Sequence, residues 1–162
     1  MPVVNEREVD WTEVEHGETH FRRKPISEAA SGEADPGIGC SLYELPPGGK
    51  SWPYHFHAAN PEAILVRSGT GTLRLDGEER AIEPGDYVPL PVGEAGAHRV
   101  INDADEPLRY LVLSTMDEPE ITVYPHSGKI GVYAGSAPGG RAERSVEGYF
   151  RQDDRVSYWE GE

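Results

Sequence analysis

The sequence predicts an all-β protein of one domain, folded as a sandwich or a barrel. Two observations predict the class. From Gly39 onward the apolar residues fall into runs of four to nine, mostly β-favouring, which is the length and composition of strands. Each run is bounded by Gly, Pro, Asn or Asp, the residues that turn a chain. A third observation sets the domain count: 162 residues suffice for one real core and are few for two with a linker.

In chain order, residues 1–38 are polar, charged and turn-rich, with "SEAASGEADPG" at 27–37 leading into the body, and they read as a loose N-terminal arm. The body, residues 39–115, holds "GCSLYEL", "EAILVRS", "GTLRLDG", "ERAIEPG", "DYVPLPV", "HRVIN" and "PLRYLVLST". Asp76-Gly77 between "TLRL" and "EERAI" predicts a two-residue hairpin, because both positions of that turn accept positive φ. "EPGD" at 83–86 places proline and glycine as a type II turn requires and predicts another reversal. Residues 116–162 add "ITVY" and "KIGVY", a glycine-rich loop and a charged end. With no second core visible, they read as an extension of the same domain. No repeat, heptad or low-complexity tract interrupts the pattern.

Charge narrows the partners. There are 29 acidic against 15 basic residues, for a net charge of −14. Such a field repels phosphate backbones, so nucleic acid is not an expected partner. The first 38 residues also hold no basic helix-turn-helix-like segment for a DNA-binding regulator. The surface is expected to serve solubility. It also fits a cell with high internal salt, in which case dialysis to millimolar salt should erase the strand signal in circular dichroism. Cys40 is the single cysteine, so neither an intrachain disulfide nor a cysteine-based zinc site is possible. With no basic-then-apolar start and no apolar run near 18 residues, the expected setting is cytoplasmic, with no membrane partner.

One stretch carries chemistry. In "HFHAANPEAILVRSG" at 55–69, His55 and His57 are two apart and face the same way on a strand. "AANP" turns the chain, and Glu62 opens the next strand beside them. A bare His-x-His would often be chance. The wider pattern, Gly49, five residues, His55, one, His57, four, Glu62, six, Gly69, arises by chance from this composition about 3 times in 10,000.

That pattern resembles the first motif of the cupin superfamily, and "GDYVPLPVGEAGAHRVIN" at 85–102 resembles the second, with Gly85, Pro91, Gly93, His98 and Asn102 in order. Four residues (Glu94, Ala95, Gly96, Ala97) separate Gly93 from His98 where the family usually has two, which predicts a longer loop. The resemblance covers residues 39–115. It implies a cupin-like jelly-roll β-barrel (double-stranded β-helix) holding a divalent metal on His55, His57, Glu62 and His98, and a homodimer in which the C-terminal extension could meet a second subunit.

The donor chemistry agrees independently: three imidazoles and one carboxylate suit Fe, Mn, Ni, Zn, Co or Cu better than Ca or Mg. Four ligands leave room for water or a substrate. The resulting expectation is a metal-dependent isomerase or dioxygenase acting on a small sugar, sugar phosphate or organic acid, with Glu62 as ligand or as base. The alternative is a non-catalytic cupin that binds a small molecule. Substrate contacts are sought among Tyr43, Trp52, Tyr54, Tyr87 and Arg109, although barrel packing or a dimer face is the simpler role for each aromatic and one internal acid would account for Arg109. His16 and His20 flank Gly17 without completing a site, and His126 in "YPHSGK" reads as a turn residue.

Overall fold

The computed structural model describes residues 3–32, 36–140 and 143–162. The strands are β1 Thr12–His16, β2 Thr19–Pro25, β3 Ile38–Leu45, β4 Phe56–His57, β5 Glu62–Ser68, β6 Gly71–Leu75, β7 Glu78–Ile82, β8 Tyr87–Leu90, β9 His98–Ile101, β10 Leu108–Thr115, β11 Glu120–Tyr124, β12 Lys129–Ala134 and β13 Val146–Arg151, with a six-residue helix, α1 Ile26–Ser31, after β2. They pair, always antiparallel, into three sheets ordered β1-β2-β3-β10-β5-β8, β13-β12-β11-β4 and β7-β6-β9. No helix among the described residues is long and apolar enough to cross a membrane.

Local chemistry sets the reversals as the sequence predicts. Leu75 pairs with Glu78 across Asp76 and Gly77, both at positive φ (50° and 78°), so the Asp-Gly hairpin forms. At 83–86 the Asp86 N–H donates to the Glu83 carbonyl at 3.1 Å, with Gly85 at φ 99°.

The N-terminal segment corrects an expectation. Residues 12–25 are no loose arm: they form the β1–β2 hairpin, and β2 pairs with β3 from Arg22↔Glu44 to Pro25↔Ser41. The charges of β1 and β2 hid the few residues that dock them, among them Val14 and Thr19. Phe21 is fully buried, stacked on Tyr43 at 5.1 Å and edge-on to Trp52 at 4.9 Å. Burying a phenylalanine is worth about 1.5–3 kcal/mol, which offsets part of the ordering entropy of the hairpin. Of the stretch leading into the body, residues 27–31 lie in α1, while residues 33–35 lie outside the described residues.

Alternation explains what reaches the interior. Ile64 and Val66 of β5, Leu108 and Tyr110 of β10, Tyr43 and Leu45 of β3 and Val100 of β9 join Phe21, Leu73, Ile82 and Leu90 in one core. The same series puts Glu62 on the inward face of β5, two residues before Ile64, and His98 on the inward face of β9, two before Val100. At the other end of this core the strands open into a cavity.

Candidate metal centre

His55 lies just before β4 and bridges to His98, with its N–H donating to the His98 carbonyl at 3.3 Å and the His98 N–H returning to the His55 carbonyl at 2.9 Å. This exchange brings the two rings to 4.7 Å between centroids, with His57 5.0 Å from His55. The His55 Nδ1 meets the Pro53 carbonyl at 2.7 Å and the His98 Nδ1 meets the Gly96 carbonyl at 2.9 Å. A carbonyl can only accept, so each Nδ1 carries the proton and each Nε2 keeps its lone pair, the form a metal needs.

Those lone pairs converge on Glu62. One nitrogen each of His55 and His98 and a carboxylate oxygen of Glu62 all lie within 4.8 Å of one another. Glu62 Oε2 is 3.4 Å from His98 Nε2 and 3.5 Å from His57 Nε2. Both His57 ring nitrogens are buried without a hydrogen-bond partner, although His57 Nδ1 lies 3.4 Å from Glu120 Oε1. This buried imidazole thus stands at ion-pair distance from two carboxylates, with no hydrogen bond of good geometry to either. His55, Glu62 and His98 form the group that could hold a metal ion, His57 standing beside it outside that group, and two imidazoles with one carboxylate suit a first-row transition metal.

Protonation follows the same geometry. Burial, then the neighbouring imidazoles of His98 and His57, push His55 well below its ordinary value. Burial also pulls His98 down, against Glu62. Burial pulls His57 down too, but Glu120 and Glu62 more than reverse it, so His57 titrates above its ordinary value.

Glu120 is a residue the sequence reading missed. It opens β11, which pairs with β4 through Thr122↔His57, and it is completely buried. Its carboxylate accepts N–H bonds from Ala58, Ala59 and Asn60 at 2.9, 3.2 and 3.0 Å, and another from Asn60 Nδ2. Burial raises the Glu120 carboxyl, but His57 and these donors outweigh it and hold it below the usual range. Asn60 is tied in turn to Asp117 and Thr115. The turn between His57 and Glu62 is thus clamped to the C-terminal extension.

The two extra residues of the second motif have a visible role. Glu94–Gly96 form a 3-10 turn whose Gly96 carbonyl orients His98. A Cβ at Gly96 would overlap the Pro91 carbonyl oxygen, so this tight approach requires glycine.

The cavity over the cluster has a volume of about 330 Å³ and takes its walls from both ends of the chain. Tyr43 and Trp52 line it, with Trp52 Nε1 donating to the Tyr43 hydroxyl at 3.1 Å. Arg23, Tyr110, Tyr124, Tyr133, Arg144 and Tyr149 also line it, none of them anticipated. Tyr124, pushed up to about 12 by burial and by Tyr149, lies 5.9 Å from the His55 ring.

Three expected contacts are corrected, as none of them lines this cavity. Arg109 alternates with the inward Leu108 and Tyr110, so it faces out and pairs with Glu44, which also holds Arg22 at 2.6 Å. Tyr87 is outward on β8 and 62% exposed. Tyr54 is buried elsewhere, accepting the Gly77 N–H at 2.9 Å and stacked on His126. His16 and His20 pair across the β1–β2 hairpin with Thr19 and Glu15, away from the cluster.

Comparison with known proteins places the architecture. Residues 41–114 match the family model Cupin_2, the cupin domain. That segment is a cupin domain.

Among solved structures, the cupin is similar to a candidate sugar phosphate isomerase from Acidithiobacillus ferrooxidans ATCC 23270, at 29% identity and TM-score 0.68 over 84% of this chain and 80% of that one. It shares a fold with a cupin-superfamily sugar phosphate isomerase from Silicibacter pomeroyi DSS-3, at 22% identity and TM-score 0.77 over 98% of each chain. A curated relative, quercetin 2,3-dioxygenase of Bacillus subtilis (strain 168), is 38% identical over 52 residues, 32% of this chain and 15% of that enzyme. The match therefore spans well under two thirds of that relative. The fold is the jelly-roll barrel of these neighbours, mostly strand with few helices.

Proposed function

We propose that this cupin is a metal-dependent enzyme for a small polar molecule, with a divalent transition metal held by His55, His57, Glu62 and His98. The observation that carries the reading is the convergence of two Nε2 lone pairs, fixed by the Pro53 and Gly96 carbonyls, on the Glu62 carboxylate. Bound there, the ion would polarise a substrate oxygen. The aromatic walls of the cavity exclude water around the reacting group. Glu62, facing the cavity, holds the ion or accepts a proton from the substrate. Of the two reaction classes, isomerisation of a sugar or sugar phosphate is supported by the neighbours matched over most of the chain. Dioxygenation is supported by a shorter match.

The test is elemental mass spectrometry of protein purified without chelator or affinity metal. Close to one Fe, Mn, Ni, Co, Cu or Zn per chain is expected, lost in a His55→Ala, His57→Ala double variant. No metal in the wild type, and none taken up on reconstitution, would refute the site. Turnover is then assayed as aldose–ketose interconversion and, with iron, as oxygen uptake. Metal-dependent ligand stabilisation without either activity would leave a binding module.

The second copy expected of a homodimer fits β13. This strand ends its sheet, and Val146, Tyr149 and Phe150 on it are more than half exposed. Antiparallel self-pairing centred on Tyr149 would set Glu147 of each copy opposite Arg151 of the other, a complementary pair formed twice. Sedimentation should give a dimer that Tyr149→Pro converts to a monomer, and a wild type that sediments as a monomer excludes it.

A further inference from the structure

One cation in the cavity has no part in metal binding. Arg23 belongs to the inward series of β2, after Thr19 and Phe21, which are 5% and 0% exposed. Strand alternation therefore aims a guanidinium into the barrel, where an apolar residue is the rule. In register it lies beside Tyr43, and both side chains line the cavity. Glu28 Oε1 stands 3.7 Å from Arg23 Nη1, beyond hydrogen-bond length. The five N–H donors of a guanidinium exceed what one carboxylate at that distance takes up.

The other cavity arginine is occupied. Arg144 Nε and Nη2 donate to the Ser136 and Ala137 carbonyls at 3.0 and 2.9 Å, and Nη1 pairs with Glu147 at 2.8 Å. Arg23 and Glu62 also share the wall of an adjoining recess of about 70 Å³ with Pro138 and Gly139, so the guanidinium and the metal-side carboxylate open onto the same space. Three neutral imidazoles and one carboxylate around a divalent ion leave one net positive charge, which the buried Glu120 carboxylate beside His57 offsets. Arg23, with Glu28 3.7 Å away, presents its guanidinium to the cavity of a chain that is otherwise strongly acidic.

Resting on the proposed metal site, we infer that the ligand is an oxyanion-bearing small molecule, a carboxylate or a phosphate, whose charged group is held by Arg23 while an oxygen at its other end faces the metal. Guanidinium suits either group through paired N–H bonds. At about 330 Å³ the cavity is at the small end of ligand sites, which run about 300–1,000 Å³.

The test uses one three-carbon polyol in three forms: glycerol 3-phosphate, glycerate and glycerol. Each is titrated calorimetrically into metal-loaded wild type, Arg23→Gln and Arg23→Lys, with metal content measured on the same samples. One or both anions should bind at least tenfold more tightly than glycerol, and the tighter of the two names the group. Arg23→Gln should erase that preference with metal content unchanged, and Arg23→Lys should keep part of it. Should the glutamine variant fail to fold, a weakened preference in the lysine variant supports the inference equally. Equal binding of glycerol, no binding of any form, or an undiminished preference in both variants would overturn the inference. Wild type that takes up no metal refutes the site itself, whereas metal without anion preference refutes only Arg23.

Discussion

Glu120→Ala tests whether the C-terminal extension is part of the metal site or only lies beside it. The carboxylate accepts four N–H bonds. Two of those donors keep a second acceptor, since the Ala58 N–H also reaches the Ile121 carbonyl at 3.0 Å and Asn60 Nδ2 reaches the Asp117 carbonyl at 2.9 Å. Ala59 is only half-buried, so its N–H is the less costly one to strand. What alanine strands is the main-chain N–H of Asn60, a residue 3% exposed, together with a His57 that loses its acidic neighbour. An unsatisfied buried donor costs about 1–3 kcal/mol, and breaking a buried charged interaction on one side about 3–5 kcal/mol. We therefore expect a loss of about 3–5 kcal/mol, or about 6–20 °C in melting temperature for a chain of this size. Glu120→Gln keeps the shape and one acceptor and should lose less than half of that. Because the clamped turn fixes the spacing from His57 to Glu62, metal affinity should fall about 10–100-fold in either variant. Differential scanning calorimetry of the metal-free proteins and competition with a chromogenic chelator read the two effects separately. An alanine variant within about 1 kcal/mol of wild type, with unchanged metal affinity, would refute the reasoning.

Other outcomes follow from the same geometry. Gly96→Ala should destabilise by about 1–3 kcal/mol, the usual range for overpacking, and weaken metal binding by shifting the carbonyl that orients His98; unchanged occupancy would separate that loop from the site. Arg109→Ala should alter stability by only about 0–1 kcal/mol and leave ligand binding intact, because Glu44 keeps Arg22; calorimetric titration checks it. In metal-free protein, His55 and His98 are held below their ordinary value, so the unfolded chain binds protons first and stability drains away as pH falls below about 6.5. His57 is raised and acts oppositely: its contribution is complete below about 6.5 and fades as pH climbs through its folded value. With two against one, the melting temperature should drop from pH 7 to pH 5, and His57→Gln should steepen that drop. A flat or rising profile contradicts these assignments.

The strands that were legible are those whose cause is local. "EAILVRS" is β5 residue for residue, and Asp76-Gly77 makes its hairpin, because alternation and positive-φ turns are set within a few residues. The β1–β2 hairpin was not legible, because its docking rests on a few residues, Phe21 foremost, among charged neighbours. Phe21 meets Tyr43 and Trp52 only once three segments distant in sequence have come together. For the same reason the domain boundaries read from composition follow where charge is dense rather than which segments bury one another.

The site divides along the same line, and the division says which residues to trust from sequence. His55, His57 and Glu62 are brought together by one strand and one turn, so spacing finds them. His98 comes in through its backbone exchange with His55, a pairing that a second local motif signals. Arg109 and Tyr87 were nominated by residue type, yet the alternation of their own strands, with Tyr110 and Leu90 inward, already sends them out. The same alternation, applied to Thr19, Phe21 and Arg23, would have pointed an arginine into the barrel had the segment been read as a strand. Glu120 had no such signal. It is one glutamate in an acidic chain, and its function depends on the register of β11 against β4, which no local pattern encodes. Ligand identity in this fold is therefore a local property, whereas ligand orientation and cavity charge are tertiary ones, and Glu120 and Arg23 are where variants of this chain should differ most in what they bind.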